Sequence, residues 1–219
     1  MKRAPAATKE RLLRAAERLF ALHGIDAVSM RSICIAADQR NNTALQYHFG
    51  DKQNLVEAIL ADRMGAINER RDVMLEQIRS DGCEGDLHRL VTALVTPFTE
   101  QLRDEPGGRY YVRFTAQLFS RGDAVELLTE RRPFTEAFHA IVDLIRACLV
   151  GIPEEVLAGR LSLMASQLVH ATAAMEFELA ASGPRRRSES VAHFTGDLVD
   201  YVVGGLTAPV SRERRKLAS

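Results

Sequence analysis

Residues 42–49 read N-T-A-L-Q-Y-H-F, and their spacing separates two kinds of chemistry. Leu45 and Phe49 are four apart and mark the buried side of a short helix. That leaves Asn42, Thr43, Gln46 and Tyr47 facing outward, with 42 stacked on 46 and 43 on 47. Side-chain amides such as Asn42 and Gln46 pair bidentately with N6 and N7 of adenine, a contact that discriminates between bases by about 1–3 kcal/mol. Thr43 can touch a thymine methyl, and Tyr47 and His48 can donate to phosphates. Arg31, Arg40 and Asn41 flank this helix and offer further contacts to base edges or backbone. Lys52 falls in the first turn of the next helix, where free amides and the helix dipole already favour an anion, so a lysine there fits a phosphate in front of it. Taken singly, each of these is an ordinary solvated polar residue; it is the ordered set that points to duplex DNA.

The elements that position the set are legible on either side. Ser29 is a good N-cap, and Met30, Ile33, Ala36 and Ala37 follow at helical spacing. Residues 38–42, D-Q-R-N-N, interrupt the apolar pattern with turn formers. Gly50 supplies a left-handed stop and Asp51 caps the following helix. Upstream, Thr8 can cap a helix to about His23 with a buried stripe of Leu12, Ala15, Ala16, Leu19 and Phe20, ended by Gly24. Helix, tight turn and short second helix is the layout of a helix-turn-helix, whose second helix enters a major groove. Ile35 stands where a charged solvent position is expected, either packed on the next helix or exposed.

Totals set the frame. The 219 residues are 46% apolar, with few glycines and prolines and no alternating strand pattern, which predicts an all-α chain. The zero net charge conceals an asymmetry: residues 1–55 carry 9 Lys/Arg against 5 Asp/Glu, a net +4, while residues 56–182 carry 13 against 20, a net −7. A basic head on an acidic body can bind phosphate with the head. Cys34, Cys83 and Cys148 are odd in number and widely spaced, which fits reduced thiols in a cytoplasmic protein rather than a metal or disulfide framework. No apolar run is long enough for a membrane span, and the basic start lacks a signal-peptide core. No metal and no cofactor is expected.

T-K-E-R-L-L-R-A-A-E-R-L-F-A-L-H-G-I-D-A-V-S-M-R-S-I followed by Y-H-F-G-D-K-Q-N-L resembles the N-terminal domain of the TetR/AcrR family of transcriptional regulators. The likeness covers about residues 8 to 62; beyond them only the helical layout is similar. Between Ile33 and Phe49 this chain is one residue longer than the family pattern. Its turn reads Asp38-Gln39-Arg40 where the family mostly has Ala-Gly-Val, and Gln46 stands where a tyrosine usually follows the leucine. The resemblance implies a contact from Arg31. It also implies a connecting helix, here from 51 to about 79, whose tilt carries a signal between head and body.

The expected organisation is a three-helix DNA-binding head in residues 1–55 with a short basic arm, a helical ligand-binding and dimerisation body in 56–207, and a disordered basic tail in 208–219, with about nine helices in all. The connecting helix takes its stripe from Leu55, Ile59, Met64, Ile67, Val73 and Ile78. Pro133 should bend or break a helical region over 123–149, and Pro153 should open the next helix at its first position. Residues 161–181 are apolar on nearly every face and so need more than one neighbour. Helices over about 154–181 and 189–206 suit a bundle made with a second copy. By position, Phe98, Tyr110, Arg113, Phe114, Gln117, Phe138, Met164, Gln167 and His170 are the candidate lining for a small-molecule effector. Arg113 has an alternative: a buried pair with an acid such as Glu176 or Glu178.

These readings predict a homodimeric repressor released from a palindromic operator by a ligand. A helical protein-interaction dimer is the alternative. An enzyme is not expected, for no nucleophile elbow, zinc-protease, Walker or dinucleotide motif occurs.

Overall fold

The computed structural model describes residues 5–39, 43–103, 110–121, 136–179 and 184–211. Among them are nine α-helices and no strand: α1 Pro5–His23, α2 Met30–Ala36, α3 Thr43–Phe49, α4 Lys52–Ser80, α5 Leu87–Thr99, α6 Tyr111–Phe119, α7 Glu136–Cys148, α8 Glu154–Leu179 and α9 Pro184–Thr207. A 3-10 turn, Glu100–Arg103, extends α5. The basic arm before Pro5, the Pro133 region and the tail from 212 lie outside the described residues.

Helix ends follow their local chemistry, with three shifts from expectation. α1 begins at Pro5 rather than Thr8, since proline at a first helical position gives up no hydrogen bond. Pro153 precedes α8 and caps it: its carbonyl accepts from Val156 N at 2.9 Å and Leu157 N at 3.0 Å. α9 starts at Pro184, ahead of the expected 189, so the Arg185–Arg187 run belongs to its first turn instead of breaking the chain. Arg187 is buried there and donates from Nη2 to Leu179 O at 3.1 Å, satisfying an orphan carbonyl at the end of α8. At the opposite end Arg160 of α8 donates to Leu206 O at 2.6 Å and Ala208 O at 2.5 Å, closing α9. Each of the two antiparallel helices therefore caps the other with an arginine, which complements the negative C-terminal dipole.

The stripe of α4 departs from the expected one. Val73 is exposed, and Arg71 and Leu75 take the inward positions between Ile67 and Ile78. α4 packs on α5 and α7, α5 on α9, and α6 lies between α8 and α1. The head is thus seated on the body through α1 and α6, where Phe20 and Phe114, both fully buried, stack with centroids 6.1 Å apart. One apolar cluster runs through head and body without a break.

Polar bonds fix the same junction. Glu17 of α1 is 1% exposed and accepts from Arg63 Nε at 3.0 Å and Nη2 at 2.9 Å. Arg14 reaches Asp62 at 2.8 Å, and Arg121, just past α6, reaches Asp26 at 2.5 Å.

Candidate nucleic-acid interface

Each step of the helix-turn-helix has a local cause. Ser29, in extended backbone, caps α2 by accepting from Ser32 N at 3.0 Å. Ile33, Cys34 and Ala37 turn inward, whereas Ala36 is exposed despite its place in the expected stripe. The end of α2 shows how the chain manages without the glycine of the family turn. Asp38 takes the left-handed conformation, φ 56°, which Asp tolerates better than most non-glycine residues. Asp38 N bonds Ile35 O at 3.0 Å and Gln39 N bonds Cys34 O at 2.8 Å, the reciprocal pattern of a Schellman stop. Arg11 of α1 binds the same corner, donating to Ala37 O and lying 3.6 Å from the Asp38 carboxylate. Arg40, Asn41 and Asn42 lie outside the described residues.

α3 begins at Thr43. Leu45 and Phe49 are buried, and Thr43, Gln46 and Tyr47 are exposed, as the spacing predicted. Tyr47 is 83% exposed and, among the described residues, makes an edge contact to the half-buried His48 ring at 5.2 Å. Gly50, at φ 74°, closes α3 through Gly50 N to Gln46 O at 2.9 Å, and Asp51 accepts from Asn54 N at 2.8 Å to start α4. Arg31 on α2 is exposed, and so is Ile35, at 68%.

Lys52 has a use inside the fold. Its Nζ donates to Ile25 O at 3.0 Å and Asp26 O at 3.2 Å, tying the start of α4 to the corner after α1. Two of its three donors are engaged, so a phosphate is not required to explain a lysine in this turn.

Of the nine residues expected to line a ligand pocket, Tyr110 meets Arg113 and Met164 shares a groove with Gln167, while the others are spread over the body. Phe98, Phe114 and Met164 are buried, and Tyr110 and Phe138 are half-buried. Gln117 is exposed beside Gly24 of the head. Arg113 forms the alternative pair: Nε to Glu176 Oε2 at 2.8 Å and Nη2 to Oε1 at 3.0 Å, with the guanidinium between the Tyr110 and Phe177 rings at 5.2 and 4.8 Å. Gln167 and His170 lie on the outer face of α8. That face shows Leu163, Gln167, His170, Ala174 and Phe177, a 4-3-4-3 spacing proper to a helix–helix seam. A shallow groove between α8 and α9 is lined by Leu163, Met164, Gln167, Tyr201 and Val202, among others.

Sequence reasoning passed over Glu17, Arg63, Arg71 and Tyr111, the buried polar residues under the head. A signal existed: Glu17 falls at i+4 from Leu13, and Arg71 at i+4 from Ile67 and i+7 from Met64, so each interrupts an apolar stripe. Among the described residues, no group of three His, Cys, Asp or Glu is placed to hold a metal. The three cysteines are free thiols, and burial raises the pKa of Cys34 and Cys148. No described helix is long and apolar enough to cross a membrane.

The fold has a counterpart among solved structures. The chain covers 95% of its length in aligning with the whole of a HlyIIR variant carrying a GSSGSSG linker, with a TM-score of 0.55 and 14% identity. It also aligns over 93% of its length with 98% of a TetR-family transcriptional regulator from Mesorhizobium loti, TM-score 0.43 and 15% identity, and over 95% with 98% of Salmonella enterica GusR, TM-score 0.41 and 22% identity. No curated protein sequence matches significantly. Residues 12–59 match the family described as "Bacterial regulatory proteins, tetR family", and residues 92–205, half of the chain, match "Tetracyclin repressor-like, C-terminal domain". With a capped helix-turn-helix at one end and this body at the other, the chain belongs to the tetR family of bacterial regulatory proteins, which are DNA-binding transcriptional regulators.

Proposed function

We propose that the protein is a homodimeric cytoplasmic repressor that α3 docks into the major groove of a palindromic operator, and that a small molecule bound by the body releases it. The observation that carries the reading is the exposed face of α3. Thr43, Gln46 and Tyr47 project from a helix whose two buried residues and glycine stop hold it rigid. Gln46 reads adenine, Thr43 and Tyr47 pack on methyl and backbone groups, and Arg31 and the remaining donor of Lys52 reach phosphate. Arg40, Asn41, Asn42 and His48 complete the set. A two-fold dimer sets two such helices about 34–36 Å apart, one DNA turn. The head is bonded to the body through α1, α4 and α6, so a ligand that favours one body arrangement shifts DNA affinity by its differential affinity for the two states.

The test is selection of bound duplexes from random DNA with the purified protein, expected to yield a palindrome. On that duplex, Gln46→Ala is expected to lose about 1–3 kcal/mol at its own base pair and to leave random-DNA affinity unchanged. Lys52→Ala should weaken both DNAs alike and lower the salt slope by about one unit. It should also loosen the head, by loss of the two carbonyl bonds. Equal losses on both DNAs for Gln46→Ala would remove its assignment as a base reader.

A further inference from the structure

We propose that Arg71 and Tyr111 form a seat for the carboxylate of the effector, buried between α4, α5, α6 and α7. The inference rests on the effector-responsive reading above and names the chemistry of its ligand.

Arg71 is 3% exposed, and among the described residues no carboxylate pairs with it. Its Nη1 donates to Asn68 Oδ1 at 3.2 Å and its Nη2 to Leu94 O at 3.2 Å, while Nε is buried with no acceptor. Tyr111 is fully buried, and among the described residues its phenol oxygen makes no hydrogen bond of ordinary geometry, although the Thr115 hydroxyl beside it lowers its pKa against the effect of burial. The neighbouring Thr115 hydroxyl spends its proton on the Tyr111 carbonyl at 2.9 Å. Both groups reach the same face of α5: Arg71 bonds Leu94, and the Tyr111 ring packs on Phe98 one turn on, at 6.2 Å. The acid nearest in function, Glu17, is committed to Arg63.

A buried cation without an anion is costly, and a structural arginine in such a place is ordinarily paired. Burial pulls the Arg71 guanidinium down to about 10, still charged at neutral pH, and pushes the Tyr111 phenol up to about 12, so both carry their protons. The Nε–H, which has no acceptor, and the phenol O–H match the two oxygens of a carboxylate, and the single positive charge is neutralised by a monoanion. A phosphate dianion would bring excess charge. Phe98 and Phe138 supply apolar walls. The Phe138 ring lies 5.5 Å from the guanidinium and is itself half-buried, so movement of one side chain opens the seat.

The experiment uses the full chain with benzoate and phenylacetate as probes and their neutral amides as controls. The side-chain Nε–H resonance of Arg71 is followed by NMR alongside thermal unfolding. Both acids are expected to shift that resonance and raise Tm, and the amides to do neither. Arg71→Met should abolish the shift in Tm by the acids. It should leave the Tm of the unliganded protein unchanged or higher, because an unpaired charge has been replaced by an apolar chain of similar length. Tyr111→Phe should weaken the acids about tenfold, as loss of one bond to a charged group does. Failure of both acids to move the Arg71 resonance overturns the proposal, as does equal binding of the amides. A large fall in the Tm of unliganded Arg71→Met also overturns it, for that is the behaviour of a structural arginine. Operator binding is read separately by fluorescence anisotropy. A neutral compound that releases DNA while the acids do not bind sinks the carboxylate seat and leaves the effector reading standing. Acids that bind Arg71 without changing operator affinity do the reverse.

Discussion

Arg63→Leu is expected to cost about 3–5 kcal/mol of folding stability, the loss that follows when one member of a buried ion pair is removed. Glu17 holds the head to the body through both oxygens, and its other partner, Arg14, is 3.4 Å away and more exposed. Without Arg63 the carboxylate would stay in the α1 interface with one weak contact. Burial already raises the Glu17 carboxyl above its ordinary value of 4.5, opposed first by the hydrogen bonds and charge of Arg63 and then by Arg14. Removing Arg63 raises it further. A carboxyl whose folded-state pKa exceeds the unfolded one binds its proton more tightly when folded. Its contribution is fully present below the unfolded value and is lost as pH rises through the folded value. The deficit of Arg63→Leu against the parent should therefore be largest near neutral pH and shrink as the pH falls toward 4.5. Urea unfolding across that range checks the slope. The Glu17→Leu/Arg63→Leu double variant should recover most of the loss, since replacing both partners leaves no charge unpaired. A deficit that is flat with pH, or unrelieved in the double variant, would mean that Glu17 is not the group responsible.

That pair also shows where sequence reasoning stops. The head was legible because its signals are local: Ser29 and Asp51 cap within three residues, Gly50 stops within one turn, and Leu45 with Phe49 fixes which side of α3 faces out. The long turn was legible as a departure. That Asp38 would occupy the left-handed position was not, nor that Arg11 would arrive from α1 to bind the same corner. The body resisted for the same reason. Which apolar-stripe position faces a cavity, a neighbouring helix or a second molecule depends on elements far apart in the chain. Gln117 turned toward Gly24, and Gln167 and His170 toward the outer face of α8, although all three had looked suited to a pocket; Arg113 took the pair with Glu176 that its sequence context had offered as the alternative. Charged residues at buried spacings, Glu17 and Arg71, were visible in the sequence as breaks in periodicity, but their partners were not.

The outer face of α8 and α9 carries the other large effect, loss of assembly. Leu163 and Phe177 on α8 are each 66% exposed and Tyr201 on α9 is 62% exposed, in a chain whose remaining large apolar residues are mostly buried. They lie on helices that clasp one another through Arg160 and Arg187, so the surface is rigid before any partner arrives. On α9, Gly204 and Gly205 sit in the last turn with open space where a Cβ would be, which leaves room for close approach of a partner helix. In a two-fold dimer each side chain is buried twice, at about 1.5–3 kcal/mol apiece when fully covered. Leu163→Glu combined with Tyr201→Glu would instead set like charges face to face at the seam. The variant is expected to sediment as a folded monomer with an unchanged helical spectrum. Its operator affinity should fall by about 10²- to 10⁴-fold, because the second half-site is no longer bound at the effective concentration the dimer supplies. Weak binding to random DNA at low salt should persist, since the α3 face is untouched. A variant that remains dimeric would place the interface elsewhere on the body; one that becomes monomeric yet binds the palindrome as tightly as the parent would refute two-headed recognition itself.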